Sequence, residues 1–164
     1  MDVVNVHERL VGAGKEEVGA LLDALGGEGD RLWPRRAWPP MVLDRPLAVG
    51  ATGGHGRVRY TVAAYVPGVW VRFVFRAPRG FHGFHEFAVL PVDERRTVLR
   101  HTLAIRARRS ARFTVPFFWQ PLHDACLEDA LDRAEWKCAD GPTRPARWSP
   151  YVRLLRWVGS RGKG

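Results

Sequence analysis

Residues 3–11, VVNVHERLV, alternate apolar and polar side chains in the manner of a strand. Val4, Val6 and Leu10 fall on one face and Asn5, His7 and Arg9 on the other, with Glu8 the one charge on the apolar side. The break GAGKEE then opens a helix, with Lys15, Glu16 and Glu17 in its first turn and Val18, Leu21, Leu22 and Leu25 at helical spacing. GGEGD ends it. In RLWPRRAWPPMVL, three prolines and two tryptophans rule out a long regular element. From residue 57 the period changes to two. Val58, Tyr60, Val62 and Ala64 stand opposite Arg57, Arg59, Thr61 and Tyr65, and GVWVRFVFR repeats the pattern with Val71, Phe73 and Phe75. PG at 67–68 and APRG at 77–80 are turns, and FHGFHEFAVLPV and TVLRHTLAIRA are two further strands joined by DERR. Four such strands in a row form an antiparallel meander with one apolar and one arginine-rich face. Residues 116–138 form the one long helix, starting near Pro121. Leu122, Cys126, Leu127, Ala130, Leu131 and Ala134 make its apolar face, and Asp124, Glu128, Asp129, Asp132 and Arg133 the opposite arc. No internal repeat interrupts this order.

Composition narrows the setting. A chain of 164 residues is about one domain, long enough to bury a core without covalent staples. The two cysteines, Cys126 and Cys138, form no CxxC pair, which fits a reducing compartment and excludes a zinc-finger spacing. The opening residues lack the basic, apolar, small-residue order of a signal peptide, and no apolar run approaches the roughly 18 residues of a membrane span. A cytoplasmic location is the expectation. The net charge of +9 is unevenly placed: residues 1–138 carry 20 Lys and Arg against 16 Asp and Glu, and residues 139–164 carry six against one. Arginine outnumbers lysine 23 to 3 with no nucleic-acid motif in the chain, so the excess reads as a compositional habit and no nucleic-acid partner is expected. In the basic tail, Ser149 and Pro150 form an N-cap and first helical position. Tyr151, Leu154, Leu155 and Val158 then make a stripe beside Arg153 and Arg156, flanked by Trp148 and Trp157. Such a helix can dock on its own domain, on a second copy as a homodimer, or on an anionic membrane surface.

The order strand, helix, irregular segment, meander, long helix resembles the START-like helix-grip superfamily, in its SRPBCC or polyketide cyclase/dehydrase-like branch. The resemblance is carried by VHERLVGAGKEEVGALLDAL, by LWPRRAWPPMVLDRPLAVGATGGHGRVRYTV, by the strands GFHGFHEF and LRHTL, and by the closing PLHDACLEDALDRAE. It covers roughly residues 3–138, leaving 139–164 as a tail. It implies an α+β fold in which a curved antiparallel sheet wraps the long C-terminal helix around an apolar cavity. A small hydrophobic ligand, lipid-, polyketide- or aromatic-like, would bind there. The same family includes cyclases and carriers, so a cyclase or dehydratase enzyme and a membrane-peripheral lipid or quinone carrier are the alternatives. No cofactor is implied.

The densest chemistry lies in GFHGFHEF, residues 80–87. A strand sends His82 and His85 to opposite faces, so they cannot chelate one ion, and a metal site would need non-local convergence of three ligands. If DERR is a four-residue loop, Val92 opposes Thr97 and Ala88 opposes His101. That register turns Phe84, Glu86 and His82 inward beside His101, with His85 outside. A slip by one residue turns Phe81, His85 and Phe87 inward instead. On the first register, which we take, Glu86, His101 and His123 form an acid and imidazole group able to poise a base near neutral pH. The expected ligand-binding wall is Trp33, Trp38, Tyr60, Phe73, Phe75, Phe84, Glu86, His101, His123 and Leu127. GATGGHG, residues 50–56, has no Lys-Ser/Thr after it and precedes a strand, so it is a connector rather than a phosphate loop.

Overall fold

The computed structural model of the chain describes residues 1–161, so the last three residues of the tail 139–164 lie outside the described residues. The elements are β1 (Asp2–Val11), α1 (Lys15–Asp23), β2 (Val42–Leu43), β3 (Thr52–His55), β4 (Val58–Val66), β5 (Trp70–Ala77), β6 (Phe81–Asp93), β7 (Arg96–Ala107), α2 (Ala111–Thr114), a π-helical turn Val115–Trp119, α3 (Gln120–Cys138) and α4 (Pro150–Arg161). One antiparallel sheet has the order β1-β7-β6-β5-β4-β3-β2, and the helix running from Ala111 to Cys138 lies against it. This is a helix-grip arrangement, as the resemblance implies. The long helix starts earlier than Pro121. That proline has no N–H to offer the Phe117 carbonyl four residues before it, the preceding turn is widened, and the Phe117 oxygen accepts the Tyr151 hydroxyl from α4 instead.

The core is filled by Val18, Leu21 and Leu22 of α1 and Leu25 just after it, Tyr60 and Val62 of β4, Val71 and Phe73 of β5, Phe87 and Val89 of β6, Leu99 of β7, and Leu127, Leu131 and Ala134 of α3. A second cluster, Leu103, Ile105, Ala107, Ala111 and Val115, closes the end where the long helix begins. Between α1 and β2 the chain is irregular but ordered by one carboxylate. Asp30, 5% exposed, accepts the backbone N–H groups of Gly26, Leu32 and Trp33.

Two features reverse the reading of single strands. The apolar face of β1 is its outer one: Val4, Val6 and Leu10 are exposed, and Asn5, His7 and Arg9 face α3. The β6–β7 hairpin has a two-residue turn, Glu94–Arg95, with Asp93 opposite Arg96 and an irregularity at Val92, so Phe87 opposes His101 and Glu86 opposes Thr102. The expected register, with Val92 opposite Thr97, is therefore corrected by one residue, and the irregularity at Val92 rather than the turn causes the slip. The Asp93 carboxylate, which accepts the Arg95 N–H and pairs with Arg96, stabilises the turn.

The tail docks on the body by a face other than its apolar stripe. Ser149 caps α4 through the Val152 N–H, Val152 is buried, and the Arg156 guanidinium lies 4.3 Å from the ring centres of both Trp38 and Trp148. Both indole N–H groups donate to Asp129, at 2.7 and 2.9 Å. Tyr151, Leu154 and Val158 stay exposed. The cation–π sandwich and the bond from Arg156 to the Ala37 carbonyl orient the helix. Deleting residues 140–164 is accordingly expected to leave a folded domain whose Tm, followed by circular dichroism, is several degrees lower. Loss of the cooperative transition would instead make the tail part of the core.

Candidate functional site

Across the inner face of the sheet, neighbouring strands each contribute one ring to a continuous belt. His55 on β3 lies 4.7 Å from Trp33 and 6.1 Å from Tyr60 on β4, centre to centre. Tyr60 meets Phe73 of β5 and His85 of β6, both at 5.0 Å, and Phe73 stacks on His85 at 4.9 Å. The His85 Nδ1 is 3.2 Å from the His101 Nε2 on β7. His101 packs against Phe87 at 4.7 Å and His123 of α3 at 5.0 Å, and His123 is 5.8 Å from His7 on β1. Register explains the alignment: His7 pairs directly with His101, and Phe73 with His85.

Burial sets the charge of these groups. It pushes the His85 and His101 imidazoles well below their usual range and takes His55 down to about 4, so all three are neutral at pH 7. It also drives the Tyr60 hydroxyl and the Cys126 thiol upward, keeping both protonated. A single bond joins His85 and His101, and in a neutral pair it leaves one ring nitrogen carrying hydrogen and one bare. Four buried polar atoms of the belt have no partner among the described residues: the Tyr60 hydroxyl, His85 Nε2, His101 Nδ1 and His123 Nε2. Buried polar atoms are almost always satisfied, by protein or by ordered water, so such a concentration is unusual.

At the β1 end the belt becomes ionic. His7 places Nδ1 2.7 Å from Glu128 Oε1 and Nε2 3.2 Å from Asp124 Oδ1, and the Asp124 hydrogen bond is the main reason its pKa is raised. His123 Nδ1 lies 3.3 Å from the same Asp124 oxygen. Burial disfavours the Asp124 carboxylate, but the bonds from His123 and His7 outweigh it and hold its pKa well below the usual range. One ligand atom from each of His7, His123 and Asp124 lies within 4.8 Å of the others, the non-local convergence that a metal site requires.

Of the residues expected to line the site, Trp33, Tyr60, Phe73, His101 and Leu127 are buried in the grip, and His123 reaches into it from α3. Phe75 sits beside His85 and Phe81. Trp38 is committed to Asp129 and Arg156 under the tail. Phe84 and Glu86 are corrected: the slip puts both on the outer face, Phe84 4.0 Å below Arg72 and Glu86 accepting from Trp70 and Arg72 at 3.0 and 2.8 Å. Glu86 therefore cannot be the acid of a trio with His101 and His123. Sequence reasoning missed His55, His7, Asp124 and Glu128. His85 belonged only to the register set aside. Surface concavities of about 450 and 440 Å³ lie beside the β1–β7–β6 strand ends and at the Asp93–Arg96 turn, and neither is between sheet and α3.

No protein family's sequence profile matches the chain, and no curated protein does. Solved structures do. A conserved protein of unknown function from Enterococcus faecalis superposes over 99% of this chain and 88% of its own with a TM-score of 0.62 at 11% identity. A solution structure from Thermobifida fusca aligns over 80% and 92% with a TM-score of 0.60 at 14% identity. Norcoclaurine synthase from Thalictrum flavum, solved with dopamine and hydroxybenzaldehyde, covers 80% of this chain and 84% of its own with a TM-score of 0.60 at 14% identity. At these identities the likeness is one of fold: the chain shares the helix-grip architecture of norcoclaurine synthase.

Proposed function

We propose that the protein binds a small, mostly apolar molecule bearing a hydroxyl or carbonyl group, held between the sheet and α3 with its polar end at Tyr60, His85, His101 and His123. The carrying observation is the four unpartnered polar atoms, contributed by β4, β6, β7 and α3 and surrounded by aromatic rings. A neutral imidazole pair offers one donor and one acceptor at its two outer nitrogens, on opposite sides of the His85–His101 bond, so a hydroxyl, which can donate or accept, can meet either one. Phe73, Phe87 and Tyr60, at most 1% exposed, pack beside them, so the ligand is admitted by α3 moving off the sheet and then meets flat apolar rings. A norcoclaurine synthase with this fold was solved in complex with dopamine and hydroxybenzaldehyde, which supports small-molecule binding as a use of the fold. The cyclase or dehydratase reading has lost its nominated acid, Glu86, to the outer face, so binding stands ahead of catalysis.

Calorimetric titration with 2-naphthol and with naphthalene tests the proposal. The hydroxyl is expected to tighten binding about threefold to tenfold, the worth of one net hydrogen bond. His101→Leu should erase that advantage, and His82→Leu, on the outer face, should leave it intact. Equal affinity of the wild type for the two probes, or no binding of either, would refute the reading.

A further inference from the structure

We propose that His7, His123 and Asp124 bind a divalent transition-metal ion that clips the edge strand β1 to α3. The geometry comes first. In a tetrahedral zinc site, metal–ligand distances of about 2.0–2.1 Å separate two ligand atoms by about 3.4 Å. His7 Nε2 and His123 Nδ1 lie 3.2 and 3.3 Å from Asp124 Oδ1, two of the three spacings of one coordination sphere, and ligand atoms of the three residues all lie within 4.8 Å of one another. The outer shell is also present. Metal-bound imidazoles commonly donate their second N–H to a carboxylate, which fixes the tautomer and raises ligand basicity, and His7 Nδ1 is 2.7 Å from Glu128 Oε1. A fourth donor is at hand in Asn5. Its Nδ2 lies 3.1 Å from Asp124 Oδ1 and its own Oδ1 is buried without a partner among the described residues, so half a turn of the amide would bring an oxygen to the same centre.

Charge points the same way. Asp124, Glu128, Asp132 and Glu135 form a row of carboxylates on α3 facing β1. A single guanidinium, Arg9, pairs with Glu128, Asp132 and Glu135. Asp124, at the far end, pairs with the two imidazoles. A dication there would offset the surplus, and Asp124, 38% exposed in its side chain, gives it a path from solvent. Two imidazoles and one carboxylate suit zinc, cobalt(II) or iron(II) rather than magnesium or calcium, which prefer oxygen ligands.

The test is calorimetric titration of untagged, chelator-treated full-length chain with zinc chloride at neutral pH, and with cobalt(II) chloride followed by visible absorption. Expected are one equivalent of zinc, intense cobalt bands of a four- or five-coordinate site, and a raised Tm. The equivalent should be lost in His7→Ala and Asp124→Asn, weakened about 10–100-fold in Glu128→Gln, and unchanged in His82→Ala. No zinc uptake by the wild type would overturn the proposal without recourse to any variant. So would an equivalent that persists in the His7→Ala/His123→Ala double variant.

Discussion

Arg9→Met is expected to destabilise the protein by roughly 3–5 kcal/mol, the cost of removing one partner from a largely buried ion pair. The Arg9 guanidinium donates to Glu128 at 2.8 Å, to Asp132 at 2.7 Å and to Glu135, and all but the more exposed Glu128 are well shielded: the side chains of Arg9, Asp132 and Glu135 are 20, 11 and 16% exposed. Methionine would keep most of the apolar stem and leave three carboxylates on α3 without their guanidinium. Because typical domains are stable by only about 5–15 kcal/mol, the variant should unfold at much lower urea concentration or fail to accumulate. Arg100→Met is the control. Its pair with Glu8 is exposed on both sides, and such pairs contribute about 0–1 kcal/mol. Adding Glu128→Gln and Asp132→Asn to Arg9→Met should recover part of the loss, since fewer stranded charges remain. A cost below about 1 kcal/mol for Arg9→Met alone would show that the carboxylate row is solvated rather than held by Arg9.

That ion-pair row also shows what was legible in the chain. The alternation of β1 was plain, but its sidedness was not, because the usual apolar-in arrangement is overridden by a matched polar partner. Alternate strand residues are about 6.6–6.8 Å apart, and helical residues four apart are about 6.0 Å apart. Asn5, His7 and Arg9 can therefore run in step with Asp124, Glu128 and Asp132, and they do. The two spacings were in the sequence, but nothing local says that these two segments meet. The β6–β7 register failed for a different reason. DERR closes with Asp93 opposite Arg96, the register a four-residue loop also implies, but the irregularity at Val92 then sets Pro91 opposite Thr97, and that one-residue slip inverts every side chain of β6 before it. His82 and Glu86 went out and His85 came in, while Leu99, His101 and Leu103, placed by the apolar side of β7 alone, faced inward as expected. His55 was hidden by glycine. GATGGHG has too little side chain to show a period, yet it supplies β3 and one ring of the belt.

Gly83, in the middle of the same histidine-rich stretch, carries the second large effect. It lies on the inner side of β6 between Phe81 and His85, paired with Ile105, at φ +147°, a conformation that side chains rarely adopt. A Cβ there would stand 2.1 Å from the Ala104 carbonyl oxygen and 2.9 Å from the Ile105 Cα. Both are backbone atoms of β7, so no rotamer change can relieve the overlap, and the strands must separate. Gly83→Ala is expected to cost roughly 3–5 kcal/mol, combining a strained backbone with an overpacked interface. Gly29→Ala, with no atom within 4 Å of the added carbon, should stay within about 0.5 kcal/mol of wild type. The functional consequence follows from position. Two residues further on, His85 holds His101 at 3.2 Å, and a displaced β6 would break that bond. In a variant that still folds, nitrogen NMR of the imidazoles should therefore report altered tautomers at His85 and His101 together with loss of the 2-naphthol preference. A Gly83→Ala protein with wild-type stability would mean that β6 and β7 tolerate a wider spacing at this point.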